Sequence, residues 1–350
     1  LYKEHGPGGM YRGGPAYYIK KGLGQGWLAA IFAVALIIAF GLIFNAVQSN
    51  SIAEAASTAT GIDKVWVGIA IAALTGVIIF GGIPQIARVA EFVVPFMAGA
   101  YLLAAAWVLI TNITEVPGVL GHIIGSAFGL QEAAGGVAGG MMAAMMNGIK
   151  RGLFSNEAGM GSAPNIAAVA VPDPHHPASQ GFVQALGVFI DTLLVCTATA
   201  IMILLSGAIP SDTNTGVVLT QGALTEHFGV IAIAIFFFAF TSIIGNYAYA
   251  ENAIIFLGHG SPAPVLALRI GVMGMVIWGA IQQVQTVFDF ADASMGLMAT
   301  INLIAIVFLS GTVSYVTQDY LRQRREGKNP TFHLSEHPEI APGVSKTIWK

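Results

Sequence analysis

Hydrophobic residues run along this chain in charge-free windows separated by short polar breaks, and each window reads as a helix. No charge occurs between Lys21 and Glu54, and the core at 27–47 is long enough to span a bilayer, which takes about 20 apolar residues. Lys64 to Arg88 encloses a second run, Glu91 to Glu115 a third, and Glu132 to Lys150 a shorter, glycine-laden fourth. The fifth, 180–207, is interrupted only by Asp191. The sixth runs from His227 to Ala250, the seventh over 270–288, and the eighth from Asp292 to Asp319. The pattern predicts an all-α membrane protein with eight transmembrane helices. A membrane domain at 26–321 lies between a cytoplasmic N-terminal segment at 1–25 and a charged, little-structured cytoplasmic tail at 322–350.

Composition agrees. Of 350 residues, 55% are hydrophobic and only 9% charged, with mean hydropathy +0.73, whereas a soluble domain carries about 25% charged residues. The net charge of −3 gives no basic surface for nucleic acid. The single cysteine, Cys196, lies in an apolar run and reads as an inert packed residue. The chain begins at Leu1 in a hydrophilic stretch without a signal peptide.

Lysine and arginine set the orientation. With the N-terminus in the cytoplasm, eight spans return the C-terminus there. Lys3, Arg12, Lys20, Lys21, Arg88, Lys150, Arg151, Arg269 and the six basic residues from Arg322 to Lys350 then fall on the inner side, and only Lys64 outside. Three connections are long: an amphipathic outer segment at 118–131, a proline-rich inner loop at 171–180, and an outer loop at 210–228 long enough to act as a lid.

Polar groups inside the spans are the candidate chemistry. Residues 147–165 read NGIKRGLFSNEAGMGSAPN. Irregular backbone cannot face lipid, so such a stretch lines a cavity or an aqueous mouth. Asn45, Gln48, Ser49 and Asn50 come late in the first run, with Gln48 on one face with Phe44 and Ile52. A lone glutamine in a membrane helix is more often an interhelical hydrogen bond than a ligand. Thr241, Ser242, Asn246, Tyr247 and Tyr249 cluster in the sixth run. Adjacent hydroxyls suit a hard cation, although helical spacing alone favours bonds back to their own helix. Asp191, mid-segment, reads as functional with a structural carboxylate as its rival. His175 and His176 make a weak metal pair, since no Cys or carboxylate joins them at ligand spacing. No nucleophile elbow, P-loop or dinucleotide fingerprint occurs, and nothing resembles a catalytic set.

The strings RGLFSNEAGMGSAPN, QALGVFIDTLLVCTATA (184–200), FAFTSIIGNYAYAE (238–251), GGPAYYIKKGLG (13–24) and FGLIFNAVQSNSIA (40–53) resemble the sodium:alanine (alanine or glycine:cation) symporter family, in order from about Gly13 to about Tyr320. The resemblance implies a LeuT-like fold, two inverted repeats of five helices with broken first and sixth helices around a midplane site. It implies that the family's first two helices would precede Leu1. The eight spans would then be its third to tenth, and this chain, holding part of the site, would not transport alone. It further implies Gln48, Phe154 and Asn246 as substrate contacts with Ser155 and Asn156 nearby, and Thr241 and Ser242 as sodium ligands. Asn246 stands where relatives carry a bulkier Trp, implying a wider or more polar pocket. The expected activity is import of alanine or glycine coupled to sodium entry by alternating access in the cell's inner membrane, with sodium as coupling ion and no other cofactor. The competing reading is a truncated, non-transporting relative or amino-acid-binding membrane protein. Lys150 and Arg151 as inner-face charges would put Phe154 at the cytoplasmic mouth, which leaves the helix break at either 135–140 or 152–162.

Overall fold

The computed structural model describes residues 1–6, 9–128, 137–207, 216–225 and 231–350. A two-residue ladder pairs β1 (Glu4–His5) with β2 (Tyr11–Arg12), antiparallel, and the rest of the regular structure is helical. Helix α1 (Pro15–Gly22) leads into α2 (Gly26–Thr60), 35 residues long, with a π-helical stretch at Ile37–Phe44. Gly61, at φ 73°, ends α2 in a left-handed cap, and Asp63 then caps α3 (Lys64–Ile79) by accepting from the Val65 N–H at 2.8 Å. There follow α4 (Gly82–Thr111), α5 (Val116–Ala127), α6 (Val137–Asn156) and the single turn α7 (Pro164–Ala167). Helix α8 (Pro177–Leu205) contains a second π-helical stretch, Ile190–Cys196. Then come α9 (Val217–Thr225), α10 (Ile231–Phe256), α11 (Pro262–Ile281), α12 (Val284–Phe308) and α13 (Ser310–Arg325).

Among the described residues six helices are long and apolar enough to cross a membrane: α2, α4, α8, α10 from Ala232, α11 and α12. Their outward faces carry large apolar side chains such as Phe92, Phe96, Leu103 and Trp107, as lipid requires. The eight expected runs are redrawn in four places. The second closes as the 16-residue α3, because the chain turns at Gly82 (φ 74°), and Arg88 and Glu91 fall inside α4 instead of marking a loop. The fourth becomes α6 with Lys150 and Arg151 inside it, and Glu132 lies outside the described residues. The seventh ends at Ile281, where Gln282 is extended, so 284–288 belong to α12. The eighth is α12 itself, which encloses Asp289 and Asp292, while 310–325 form the separate helix α13. The amphipathic segment forms α5, which buries none of its residues. Of the expected lid, 210–215 and 226–228 lie outside the described residues and 217–225 form α9.

The core sits where α2 crosses α10, α11 and α12. Gly279 of α11 lies so close to α2 that an added Cβ would meet the Ala46 carbonyl oxygen at 2.3 Å, and one on Gly68 of α3 would meet Ala280 at 2.6 Å. Such small-residue contacts let helix backbones approach within a membrane. Ser49 donates to the Val276 carbonyl at 2.7 Å, and Asn50 to those of Gly279 and Gln282 at 2.9 and 2.8 Å. Both polar side chains therefore act as interhelical bonds.

The tail differs from expectation. Phe332, Leu334, Val344, Ile348 and Trp349 are buried in a cluster with Ala178 and Val316. Backbone bonds from Phe332 to His175 and from Leu334 to Trp349 fix its path, at 3.0 and 3.1 Å. The charge of the segment hides enough aromatic surface to order it.

Candidate functional site

Helix α6 ends at Asn156, and 157–163 are irregular. Of the two break positions considered, 152–162 contains irregular backbone from Glu157 onward. In the other, residues 135–136 lie outside the described residues and 137–140 are helical. Glu157 (φ 54°), Gly159 (φ 85°) and Gly161 (φ 89°) take left-handed conformations. A Cβ on Gly161 would fall within 3 Å of Pro15, Asn302 and Phe32, so only glycine fits. Three carbonyls of the segment, those of Gly159, Gly161 and Ser162, accept from the side chains of Asn302 and Asn165. Asn302 donates to the Gly159 carbonyl at 2.8 Å while accepting from the Tyr18 hydroxyl. Ser162 donates to the Glu157 carboxylate at 2.6 Å. A cavity of about 800 Å³ opens beside the segment, with Tyr18, Ser155, Glu157, Asp191 and Asn302 in its wall.

On the α2 side of the break an aromatic chain runs through the bundle. Phe40 stacks on Phe44 at 4.4 Å, Phe44 on Phe154 at 4.7 Å, and Phe154 leans on Phe288 at 5.6 Å. Tyr249 meets Phe40 edge-on at 5.4 Å. Phe154 is thus held against the middle of the 35-residue α2. Lys150 and Arg151, read as inner-face charges, are paired with Asp292 of α12, at 3.5 and 2.5 Å. Asn246, 4% exposed, donates to Asn45 Oδ1 at 3.1 Å. Gln48, one turn beyond Phe44 on α2, is half-buried and makes no side-chain hydrogen bond to any described residue.

Ser155 and Asn156 turn elsewhere. Ser155 Oγ donates to Asp191 Oδ2 at 2.5 Å, and Asn156 Nδ2 donates to Thr192 Oγ1 at 2.7 Å. Both partners lie in the π-helical stretch of α8, so these bonds tie the end of α6 to α8, and Asp191 serves at least that tie. Cys196 Sγ sits 3.4 Å from Ser155 Oγ, at the edge of the same group. Of the predicted substrate residues, Phe154 and Asn246 each contact α2, on which Gln48 lies, whereas Ser155 and Asn156 contact α8.

Thr241 donates to the Phe237 and Phe238 carbonyls at 2.9 and 3.1 Å, and Ser242 to that of Phe238 at 3.0 Å. Both hydroxyl protons are committed to their own helix, which leaves their oxygen lone pairs. Ser242, Asn246 and Tyr249 follow one another along one face of α10 at helical spacing. Among the described residues no His, Cys, Asp and Glu group has metal-site geometry, the His175–His176 pair included.

The sequence reading gave no role to the polar groups at the end of α10, Tyr247 among them. Glu251 pairs with Arg12 at 3.7 Å and accepts from Tyr247 at 2.6 Å, and Tyr247 in turn accepts from Arg269 Nε at 2.9 Å. Asn252 donates to the Gly13 carbonyl and to Asn165 Oδ1, each at 2.7 Å. One network thereby joins the N-terminal segment, the break and α10. The only sequence signal was the density of Asn and Glu at one helix end.

The model of the sodium:alanine symporter family matches residues 1–334. The amino-acid carrier protein AlsT of Bacillus subtilis is 48% identical over 345 residues, which cover 97% of this chain and 72% of AlsT. The probable sodium/glutamine symporter GlnT of the same organism is 46% identical, over 95% of this chain and 69% of GlnT. The sodium/proton-dependent alanine carrier protein of Bacillus sp. PS3 is 38% identical, over 91% of this chain and 75% of that carrier. These relatives are carriers and symporters, not enzymes. The family match runs from residue 1 and lends no support to the expectation that two family helices are missing ahead of Leu1.

Proposed function

This chain belongs to the sodium:alanine symporter family, and we propose that it imports a small neutral amino acid, alanine or glycine, with sodium by alternating access on a LeuT-like frame. It is a multi-pass membrane protein of a family of amino-acid and sodium symporters. In the proposed arrangement both chain ends face the cytoplasm, and the eight predicted runs, as redrawn above, supply the helices of the frame.

The observation that carries the reading is the break at 157–163, whose Met160 and Ser162 are fully buried inside the bundle. An amino acid is a zwitterion, needing donors for its carboxylate and acceptors for its ammonium, and an unwound helix offers both from backbone alone. Asn246, bonded to Asn45 of α2, and Gln48 of α2 would add side-chain polarity, and the stacked Phe154 and Phe44 an apolar wall for a methyl group. Ser155 and Asn156 act one step removed, by holding the end of α6 on α8. Sodium is the second cargo. Thr241 and Ser242 offer it hydroxyl oxygens whose protons already point to their own helix, and neutral oxygens of this type suit a hard cation.

The test is uptake of radiolabelled alanine into proteoliposomes with and without an inward sodium gradient. Gradient-dependent accumulation inhibited by glycine is expected. Saturable alanine binding with no accumulation in any gradient would establish the non-transporting alternative instead.

A further inference from the structure

We propose that Asn45 is a positioning residue: it fixes the Asn246 amide so that Asn246 Oδ1 is presented as the acceptor for the substrate's ammonium group. The inference rests on the reading above that Asn246 faces the substrate.

It begins in the backbone of α2. The π-helical stretch Ile37–Phe44 ends immediately before Asn45, and such local widenings recur at functional sites because they release backbone groups from the regular ladder. The Asn45 backbone N–H bonds the Leu42 carbonyl, and its side-chain Nδ2 donates to the Gly41 carbonyl at 2.9 Å. Asn45 is fully buried, so its amide has no water with which to exchange this bond.

The second step is an assignment by elimination. An asparagine's oxygen and nitrogen are told apart by their partners. Gly41 O only accepts, so the Asn45 atom facing it is Nδ2, and the atom facing Asn246 is Oδ1. Oδ1 only accepts, so Asn246 must offer Nδ2, at 3.1 Å. Asn246 Oδ1 is then the atom left over, and it accepts no hydrogen bond from any described residue. A carbonyl oxygen held in this way repels a carboxylate and matches an ammonium. The order Gly41 carbonyl, Asn45, Asn246 also polarises the amides in one direction. Without Asn45, the Asn246 amide is free to rotate by half a turn and present its N–H₂ face.

Room around the relay is tight. A Cβ on Gly41 would meet the Ala250 methyl of α10 at 2.9 Å, so the π-helical stretch and α10 lie in direct contact on this side. Tyr249 and Ser242 sit on the same face of α10, within one turn of Asn246 in either direction. Along α10 the relay therefore sits between the proposed sodium oxygen of Ser242 and Tyr249, which meets Phe40 of α2 edge-on.

The experiment is a double-mutant cycle on alanine KM in proteoliposomes holding equal amounts of transporter, with Asn45→Ala, Asn246→Ala and the pair. Each single variant should raise KM by about three- to tenfold, the size of one hydrogen bond, with the maximal rate little changed. In the Asn246→Ala background, Asn45→Ala should add nothing, because it acts only through Asn246. Asn45→Asp should keep the parent KM, since its neutral acid donates to Gly41 and accepts from Asn246. Multiplying KM effects, or a fall in maximal rate at unchanged KM, would make Asn45 a packing residue and overturn the relay. A raised KM for Asn246→Ala with a parent KM for Asn45→Ala overturns the relay alone. A parent KM for Asn246→Ala overturns both the relay and the substrate-facing placement. Should Asn45→Ala fail to reach the membrane, Asn45→Asp decides: the parent KM supports the relay, and a raised one overturns it.

Discussion

Arg151 of α6 and Asp292 of α12 are joined by a 2.5 Å bond from Nη2 to Oδ1, and the same guanidinium lies over the Phe288 ring at 5.0 Å and the Phe154 ring at 5.7 Å. Lys150 approaches the other carboxylate oxygen at 3.5 Å. Two cations thus share one anion beside the aromatic chain that leads to Phe44.

Asp292→Asn leaves Lys150 and Arg151 facing each other without a counter-ion. Their heads are over a third exposed and screened by solvent, so the cost expected is about 0.5–1 kcal/mol. Arg151→Lys keeps the charge and loses the planar contact with the rings, for roughly 0.5–1 kcal/mol. Thermal unfolding in detergent measures both. Equal melting of Asp292→Asn and the parent would show that the ion pair holds nothing together.

The sodium site has its own test. Thr241→Ala and Ser242→Ala each remove one oxygen from the proposed ion shell, together with a bond to the Phe237 or Phe238 carbonyl. Loss of an unreplaced ligand worth about 1–3 kcal/mol raises the half-saturating sodium concentration by roughly tenfold or more. Loss of a helix back-bond alone does not, because that carbonyl remains in its helix ladder. Sodium titration of alanine uptake separates the two. An unchanged half-saturation point in both variants, at normal expression, assigns the hydroxyls to their helix.

Much of this was legible in the sequence, for identifiable reasons. Charge-free windows locate helices well because lipid penalises an unpaired charge, and they misplace ends wherever a charge is paired inside a helix. Asp292, Lys150 and Arg151 are such a set. Gly82 and Gln282 end helices by backbone conformation, a signal weaker in sequence than a charge. The break was legible as one of two glycine-rich places, and Glu157, Gly159 and Gly161 are where it falls. Helix phase was not legible at a helix end. Successive residues point about 100° apart, so Phe154 meets Phe44 while Ser155 and Asn156 reach α8. The contact of Asn45 with Asn246, 201 positions away, comes only from the packing of α2 on α10.

The ordered tail predicts a pH response. His176 Nδ1 accepts the Ala178 N–H at 3.1 Å at the start of α8, and its Nε2 lies 3.2 Å from Asp319 of α13. This fixes the neutral ring with its proton on Nε2. Burial pulls the ring below its ordinary value of 6.5, against the opposing pull of Asp319 and with a smaller push from nearby His337. The unfolded state therefore binds more protons than the folded one between the lowered value and 6.5. The stability His176 contributes is complete above 6.5 and is lost as pH falls below it. Hydrogen exchange across 330–349 should accelerate as pH is lowered through that range, after correction for intrinsic rates. In His176→Asn, whose side chain also caps a helix and does not titrate, the acceleration should shrink. An identical response in that variant would move the effect to another group.

Substrate size rests on Asn246 and Gln48. Asn246 is almost fully buried between α10 and α2, and Gln48, one turn from the Phe44–Phe154 stack, bonds no described residue through its amide. Asn246→Trp adds bulk where the relatives' pattern is expected to carry it, breaks the bond to Asn45, and should shift preference toward glycine. Gln48→Ala removes a polar contact without touching the helix ladder, and should weaken substrate affinity while leaving membrane insertion intact. An apolar wall distinguishes one methylene by only about 1–3 kcal/mol, so the alanine-to-glycine ratio should change by about ten- to a hundredfold and not absolutely. Competition uptake with both amino acids reads this ratio directly. If Asn246→Trp still transports and keeps the parent ratio, Asn246 does not face the substrate, and the polar face of α10 serves only to hold α2.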